Sequence, residues 1–277
     1  MDQGKKTNLK GAGSDTYALV TGGSSGIGRA IVRECARRKM NVLIVALPGK
    51  ELEETANDIR RAFPVKADFL AVDLAGAGGP QKVAEWTRDQ GYIINVLVNN
   101  AGIAGTAVFA DSSPGYSDLR IRLNINALVM LTRLFLPGML QLERAYILNT
   151  GSLSAFYPIG YKSVYAASKA FVLSFSLGLG EELRGSPVST CVVCPNGVRT
   201  NAGTNQRIDS HGWKGRAVEV PPDKIAKIAL DAMFRGKPMV IPGAFNRFLY
   251  AFSKLFPLAV RTRIATREMK KEIGAGS

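Results

Sequence analysis

One segment of the chain, Thr21-Gly-Gly-Ser-Ser-Gly-Ile-Gly28, constrains the fold more than any other. It follows an apolar run at residues 17–20 and leads directly into an amphipathic stretch, so it predicts a sharp turn between a strand and a helix. Gly22, Gly26 and Gly28 let the backbone turn tightly and let a pyrophosphate approach the positive end of that helix. In this position the glycines predict a dinucleotide-binding βαβ unit.

Apolar runs and amphipathic segments alternate along the rest of the chain. We predict strands at 17–21, 41–46, 67–72, 95–99, 145–150, 189–194 and 238–241. We predict helices at 27–39, 50–62, 81–90, 117–142, 161–184 and 222–234. Several apolar runs show little alternation, which is typical of strands covered by helices on both faces. The predicted fold class is therefore α/β, with one doubly wound, mostly parallel, seven-stranded Rossmann sheet.

Composition suggests where the folded domain begins and what it contains. Residues 1–16 are polar and rich in glycine and lysine, so we expect a disordered N-terminal tail. Residues 17–277 contain no linker or internal repeat and are predicted to form a single catalytic domain. Its last part, residues 244–277, is predicted to be an amphipathic helical extension.

The hydropathy and the charge of the chain indicate in which cellular compartment it works and which partners it binds. Charged residues interrupt the longest apolar stretches, so we expect no segment of roughly 18 clean apolar residues that could span a membrane. The lysines near the N-terminus are not followed by an apolar stretch, which predicts no signal peptide and a cytoplasmic location. The net charge of +14 is scattered over the chain and would suit a phosphate-rich cofactor as well as nucleic acid. Because no nucleic-acid module is present, we predict no nucleic-acid partner.

The cysteines and the histidine argue against a metal site. Cys191 and Cys194 match a CxxC pattern, but they lie in a predicted strand, where residues three apart point to opposite faces. Cys35 is the third cysteine, and His211 is the only histidine. We therefore predict neither a zinc site nor a histidine-based catalytic triad.

Tyr165 and Lys169 form the strongest candidate for catalysis. On a helix, their spacing of four residues places the phenol and the ammonium group on one face, where the cation can lower the pKa of the tyrosine. A hydroxyl residue, Ser152, lies thirteen positions before the tyrosine. The spacing alone also fits two unrelated surface side chains. The rest of the chain favours an acid/base pair.

The end of the second predicted strand bears on which cofactor binds. No Asp or Glu lies at residues 46–48 to hold a free 2′-hydroxyl group of the adenosine ribose. Lys50 and Arg29 are near in sequence and would favour a 2′-phosphate, together with the hydroxyl groups of Ser24 and Ser25. We therefore predict NADP, with NAD as the alternative.

Taken together, these residues resemble the short-chain dehydrogenase/reductase family in its smaller, single-domain branch. The segment from Thr21 to Gly28 matches the family's TGxxxGxG cofactor loop, and Asn99-Asn-Ala-Gly102 matches its NNAG motif. Ser152, Tyr165 and Lys169 match its catalytic set, which Asn124 completes. The resemblance implies cofactor contacts at these positions: Gly22, Ser24, Ser25, Gly26, Ile27, Gly28, Asp73, Leu74, Asn100, Ala101, Gly102, Tyr165, Lys169, Pro195, Val198 and Thr200.

The resemblance also implies a mechanism. Tyr165 would exchange a proton with the substrate oxygen while hydride moves between the nicotinamide and the carbon, and Ser152 would orient that oxygen. Lys169 would lower the pKa of Tyr165 and bind the nicotinamide ribose. Asn124 would hold a water that links Lys169 to solvent. One departure is Asn196, because the family usually has glycine after the proline at 195; we expect the loop there to survive with slightly altered positioning.

The last third of the chain leaves the substrate and the assembly open. The resemblance implies that the substrate pocket lies at the loop 200–220. Trp213 in this loop could either close over the substrate or pack as an anchor. Residues 244–256 carry Phe245, Phe248, Leu249, Phe252 and Phe256 on one helical face, which could pack on the domain, on a second subunit or at an anionic membrane. The resemblance implies an apolar ketone, such as a 3-oxoacyl or steroid-like compound, and a homodimer or homotetramer paired through the helices at 117–142 and 161–184. The alternative function is a dinucleotide-binding redox sensor without turnover.

Overall fold

The computed structural model describes residues 16–196 and 218–274, with side chains up to residue 270. Residues 1–15 of the predicted N-terminal tail lie outside the described residues, whereas Thr16, its last residue, begins the first strand. Most of the loop at 200–220, with Trp213 and His211, and the predicted cofactor contacts Val198 and Thr200 also lie outside the described residues. Seven parallel strands form one sheet in the order β3-β2-β1-β4-β5-β6-β7, which confirms the predicted α/β class. The strands are β1 Thr16–Thr21, β2 Asn41–Ala46, β3 Ala67–Ala71, β4 Ile93–Asn99, β5 Ala145–Thr150, β6 Val188–Val193 and β7 Met239–Val240.

Helices cover both faces of this sheet. The helices are α1 Gly26–Arg37, α2 Lys50–Ala62, α3 Gly79–Asp89, α4 Pro114–Ile121, α5 Ala127–Met139, α6 Ser163–Glu182, α7 Pro222–Phe234, α8 Ala244–Ser253 and α9 Leu258–Gly274. One apolar cluster joins the sheet to α1, α2 and α7, and two others join it to α3, α5 and α6 on the opposite face. The strands are buried on both sides, which explains why their sequences are apolar with little alternation.

The single long helix predicted at 117–142 is wrong in detail. The chain forms α4, a π-helical turn at Arg122–Asn126, and then α5. The helix also begins earlier than predicted, because the hydroxyl of Ser113 caps it by accepting a hydrogen bond from Tyr116 N and Pro114 occupies the first turn. A π turn rotates the residues inside it relative to a regular helix, and Asn124 lies within this one.

The α6 helix is the one described helix that is long and apolar enough to cross a membrane. The prediction of no such segment is therefore wrong by length and hydropathy. The helix nevertheless packs against β5 and β6 and carries the buried side chain of Lys169. A core helix of an α/β domain meets the same criteria.

The C-terminal extension consists of two helices, α8 and α9. The aromatic stripe predicted there is present, but Phe245, Phe248, Phe252 and Phe256 are exposed to solvent. The chain's own domain therefore leaves these four rings partly uncovered. The polar residue Asn246 is the one that α8 buries most deeply.

Candidate active site

The predicted site residues meet at the carboxyl edge of the sheet. The strand order reverses between β1 and β4, which leaves a crevice beyond their carboxyl ends. The glycine-rich turn follows β1, the NNAG motif ends β4, and Ser152 follows β5. The α6 helix brings Tyr165 and Lys169 to the same edge.

The turn after β1 is built for close approach of a ligand. Gly22 and Gly26 have left-handed backbones, with φ of 63° and 51°. A Cβ on Gly28 would lie 2.0 Å from the Gly22 carbonyl oxygen, so no other residue fits there. Ser25 occupies the N-cap of α1 without a side-chain capping bond, and the first turn of α1, which includes Ile27, contains no acidic residue. The N–H groups at this helix end therefore face the crevice without a negatively charged side chain beside them, as a pyrophosphate site requires.

Hydrogen bonds of Thr21 and Asn100 connect this turn to the NNAG motif. The Thr21 hydroxyl donates to Val98 O at 3.2 Å and accepts from the backbone N–H groups of Asn100 and Ala101, each at 3.0 Å. The Asn100 side-chain amide donates to Thr21 O at 3.0 Å and Gly22 O at 3.3 Å. Asn100 thus shapes the cofactor loop with its side chain.

The end of β2 carries no acidic residue, as predicted, but its basic groups are engaged. Leu47 is exposed there. Arg29 forms an ion pair with Asp58 of α2 at 2.8 Å, so the prediction that it favours a 2′-phosphate is not supported by its position. Lys50 pairs with Glu54 at 3.3 Å, and its side chain is 86% exposed. Of these two cations, Lys50 is the freer to turn towards a phosphate.

The predicted cofactor contacts Asp73 and Leu74 lie in the turn after β3. The Asp73 carboxylate accepts a hydrogen bond from Ala75 N at 2.9 Å, which closes this turn. Leu74 is buried beneath it, in the cluster that includes Val83 of α3. A Cβ on Gly79 would lie 2.3 Å from the Asp73 carbonyl oxygen, so the first residue of α3 must be small for the turn to form.

Lys169 is buried at the centre of the site. Its ammonium Nζ donates to the Thr150 carbonyl oxygen at 2.7 Å and lies 6.0 Å from the centre of the Tyr165 ring. Burial lowers the pKa of Lys169 from its ordinary value of 10.5 to about 8. The site therefore holds a cation beside the Tyr165 ring at neutral pH.

Ser152 lies where β5 leaves the sheet. It caps a short 3₁₀ helix at Leu153–Phe156, because its hydroxyl oxygen accepts from Ser154 N at 3.1 Å. Its hydroxyl hydrogen is directed to Ser154 Oγ at 3.2 Å, a bond that a substrate oxygen could replace. The backbone N–H of Leu153 donates to Pro195 O at 2.9 Å, which ties this segment to the end of β6.

Asn124 connects the NNAG loop to α6. Its carboxamide oxygen accepts from Ile103 N at 2.8 Å, and its amide donates at 3.0 Å to both Ile103 O and Ser168 Oγ. The Ser168 hydroxyl donates in turn to the Tyr165 carbonyl oxygen at 2.7 Å. A Cβ on Gly102 would lie 3.1 Å from Asn124 Oδ1 and 3.5 Å from Lys169 Nζ, so both groups border this glycine.

Asn246 is a site residue that sequence reasoning missed. Asn196, which replaces the expected glycine, donates from Nδ2 to Asn246 Oδ1 at 3.1 Å. Asn246 donates to Val218 O at 3.0 Å and Pro242 O at 3.1 Å. It therefore contacts both ends of the segment between 196 and 218. The only signal in the sequence is a polar residue inside an aromatic stripe.

A small pocket opens beside Tyr165. Its walls are mainly aromatic and apolar: Gly105, Phe109, Tyr116, Tyr161, Val164 and Tyr165. Tyr161 has a left-handed backbone with φ of 64°, although it is not glycine. Its carbonyl oxygen accepts from Ala107 N at 2.8 Å, which holds the two walls of the pocket together.

The structure gives no support for a metal site in the part of the chain that it describes. Residues 16–196 and 218–270 contain no cluster of three or more His, Cys, Asp or Glu side chains placed to hold a metal. Cys191 and Cys194 are free, buried, and belong to clusters on opposite faces of the sheet, as predicted from their spacing.

Comparison with known proteins identifies what the chain is similar to. Residues 16–211 match the family model described as short chain dehydrogenase. A very-long-chain 3-oxoacyl-CoA reductase from Anas platyrhynchos is 34% identical over 196 residues, which are 69% of this chain and 62% of that protein. A 17-beta-hydroxysteroid dehydrogenase type 3 from Danio rerio is 33% identical over 204 residues, 70% of this chain and 64% of that protein. The chain thus spans less than two thirds of the length of these relatives.

A solved structure agrees with the match. The short-chain dehydrogenase from Sphingobium yanoikuyae in complex with NADPH superposes with a TM-score of 0.72 at 28% identity. The superposition covers 87% of this chain and 94% of that protein. The similarity therefore extends over most of the domain described above.

Proposed function

This chain belongs to the short-chain dehydrogenase family, and from that premise we propose that it is an oxidoreductase that transfers a hydride between NADP(H) and a ketone or secondary alcohol. The observation that carries this proposal is the buried Lys169 ammonium beside Tyr165, at the same sheet edge as the glycine turn. Among the described residues no carboxylate is bonded to this cation, so its burial costs stability. Groups held at such a cost are concentrated at functional sites.

The residues of the cofactor loop fit a dinucleotide. The Gly28 position admits no side chain, and the N-terminus of α1 has no side-chain cap. The missing acid after β2 and the complex of the Sphingobium yanoikuyae relative with NADPH both support NADP over NAD. When bound, the nicotinamide supplies or accepts the hydride.

Tyr165 is the proposed acid in reduction. It donates its phenolic proton to the carbonyl oxygen as the carbon is reduced, and it accepts that proton when the reaction runs towards the ketone. The phenolate left on Tyr165 is stabilised by the Lys169 cation, whose position is fixed by Thr150. Lys169 also binds the hydroxyl groups of the nicotinamide ribose.

Ser152 and Asn124 have supporting roles in this proposal. Ser152 turns its hydroxyl from Ser154 to the substrate oxygen and orients it. Both amide hydrogens of Asn124 are already bonded, so a relay water would be held by its oxygen or its backbone carbonyl. The π turn around Asn124 supports this role, because π turns alter the backbone bonding of a helix.

We propose an apolar ketone as the substrate, such as a 3-oxoacyl thioester or a steroid. The two curated relatives are named for such substrates, and the pocket beside Tyr165 is lined mainly by aromatic and apolar groups.

We also propose a cytoplasmic enzyme that pairs its subunits through α5 and α6. Those helices expose Leu134, Phe171 and Leu177, which a single subunit leaves in water.

A turnover screen tests this function. Purified protein would be incubated with NADPH or NADH and a panel of ketones: a long-chain 3-oxoacyl thioester, a steroid ketone and a ketose. We expect oxidation of NADPH faster than of NADH, and the highest kcat/KM with one of the two apolar ketones. Cofactor binding without oxidation on any of them would instead favour the redox-sensor alternative.

A further inference from the structure

The outer surface of α8 and α9 is the most apolar surface that the described residues expose. The described residues include sixteen exposed large apolar side chains, and eight of them lie between residues 245 and 264. Those eight are Phe245, Phe248, Phe252, Leu255, Phe256, Leu258, Val260 and Ile264. A concentration of this kind on twenty consecutive residues marks an interaction surface. We call it the C-terminal surface.

The aromatic rings on this surface form a continuous row. Phe248 and Phe252 stack with centroids 5.8 Å apart, and Phe252 meets Phe256 edge-to-face at 5.2 Å. Ring–ring contacts keep the row in place while leaving its outer side in water. The most protruding side chain is Leu255, which is 76% exposed.

The opposite side of the two helices is fixed to the domain. The Tyr250 ring contacts the Phe156 ring with centroids 4.3 Å apart, and Thr266 Oγ1 accepts from Gly160 N at 2.9 Å. A Cβ on Gly160 would lie 2.6 Å from Thr266, so α9 packs closely on the segment that leads to Tyr165. The exposed row therefore belongs to an ordered element next to the active site.

Positive charge accompanies the apolar row. Residues 244–270 contain six Lys or Arg and one Glu, a net charge of +5. Arg247, Lys254, Arg263, Arg267 and Lys270 are exposed. Aromatic groups flanked by cations fit the boundary between the headgroups and the acyl chains of an anionic bilayer.

A second copy of the chain fits this surface less well. A two-fold contact would bring two patches of charge +5 together, which costs free energy through like-charge repulsion. The exposed apolar residues of α5 and α6 offer a separate surface for pairing, with Leu134 and Leu177 among them. In an anionic membrane the acyl chains would bury the rings, and the headgroups would attract the cations.

We propose that the C-terminal surface docks the enzyme on an anionic lipid bilayer and holds the segment leading to Tyr165 close to it. This inference deepens the proposed function and rests on it in one respect, the apolar substrate. A ketone dissolved in the bilayer would reach the pocket near Tyr161 without crossing bulk water. The α8 and α9 helices lie in the plane of the interface, and neither of them spans the bilayer.

Vesicle flotation tests this docking. The full chain would be mixed with vesicles of phosphatidylcholine alone or of phosphatidylcholine with phosphatidylglycerol. We expect flotation with the anionic vesicles only, and release at high salt because the cations are screened. The double variant Phe248→Ser/Phe252→Ser should float at least about tenfold less, since it removes two large apolar groups from the interface. Leu140→Ser, which changes an exposed leucine at the end of α5, should float like the unmodified chain.

The outcomes separate this inference from the proposed function. Turnover of a water-soluble ketone should be the same in Phe248→Ser/Phe252→Ser as in the unmodified chain, because neither side chain belongs to the site. No flotation with anionic vesicles, or equal flotation of the double variant, overturns the docking while leaving the oxidoreductase intact. If the double variant instead reduces the oligomer size and nothing floats, the C-terminal surface is a subunit interface.

Discussion

The ammonium group of Lys169 donates a 2.7 Å hydrogen bond to the carbonyl oxygen of Thr150. Both residues are buried, and the bond joins α6 to the end of β5. A carbonyl oxygen supplies only a partial charge, so the lysine keeps a net positive charge beside Tyr165. Burying that charge lowers the free energy of unfolding of the cofactor-free protein.

We predict that this cost appears as a pH dependence. The pKa of Lys169 is about 8 in the folded chain against an ordinary 10.5, so the unfolded chain binds more protons between these values. The free energy of unfolding therefore gains a contribution that rises with pH from 8 to 10.5, by up to about 1.4 kcal/mol per pH unit. The measurement is chemical denaturation of the unmodified chain and of Lys169→Met across this range.

The comparison with Lys169→Met separates the lysine from most other titrating groups. Burial raises the pKa of Cys35, Cys191 and Cys194 to about 12, so these thiols lower stability as pH rises above 9 in both proteins. The difference between the two proteins cancels the effect of Cys35 and Cys191, whereas Cys194 interacts electrostatically with Lys169 and contributes to the difference. Lys237→Met, which removes an exposed lysine, is the matched control variant. Parallel curves for the unmodified chain and Lys169→Met would show that the lysine is not perturbed by burial.

A second prediction concerns the pair Asn196 and Asn246. Asn246→Ala leaves the Asn196 amide and the carbonyl oxygens of Val218 and Pro242 without their partner, which should cost about 2 to 3 kcal/mol of stability. Asn196→Gly restores the usual glycine and removes one hydrogen bond, which should cost about 1 kcal/mol. In a double-mutant cycle, Asn196→Gly should cost less when Asn246 is already alanine. Additive effects would mean that the two carboxamides do not interact.

A third prediction concerns Gly28. Gly28→Ala places a methyl group 2.0 Å from the Gly22 carbonyl oxygen and 2.5 Å from Asn100 Nδ2, so the turn must open. We expect a loss of about 1 to 3 kcal/mol of stability and at least about tenfold weaker NADPH binding by titration. Gly178→Ala is the matched control, because a Cβ there meets nothing within 4 Å and alanine favours the helix. NADPH affinity that is equal in both variants would argue against a cofactor site at this turn.

Much of the fold could be predicted because its signals are local. The strands Asn41–Ala46 and Ala145–Thr150 are found where predicted, since each is a continuous apolar run next to polar or turn-forming residues. The helix Pro222–Phe234 also matches, because Pro221 and Pro222 mark its start. The π turn at Arg122–Asn126 was missed, since nothing in that sequence differs from a regular helix.

The sequence motifs of the site could be predicted, but the hydrogen bonds that support these motifs could not. Gly28, Tyr165 and Lys169 are recognised by spacing to near neighbours in the chain. The hydrogen bond between Asn196 and Asn246 joins residues 50 positions apart, so no local sequence pattern predicts it. The same limit applies to the ion pair of Arg29, whose partner Asp58 lies on α2, two elements further along the chain.

Tyr165 is the proposed proton donor, and one substitution tests this role most directly. Tyr165→Phe keeps the ring beside Lys169 and removes only the hydroxyl. NADPH binding should stay within about threefold of the unmodified chain, while kcat for ketone reduction should fall by about a hundredfold or more. Tyr157→Phe, a tyrosine on the segment before α6, should keep most of its activity. Retention of more than about a tenth of kcat in Tyr165→Phe would contradict the role of this residue as the acid.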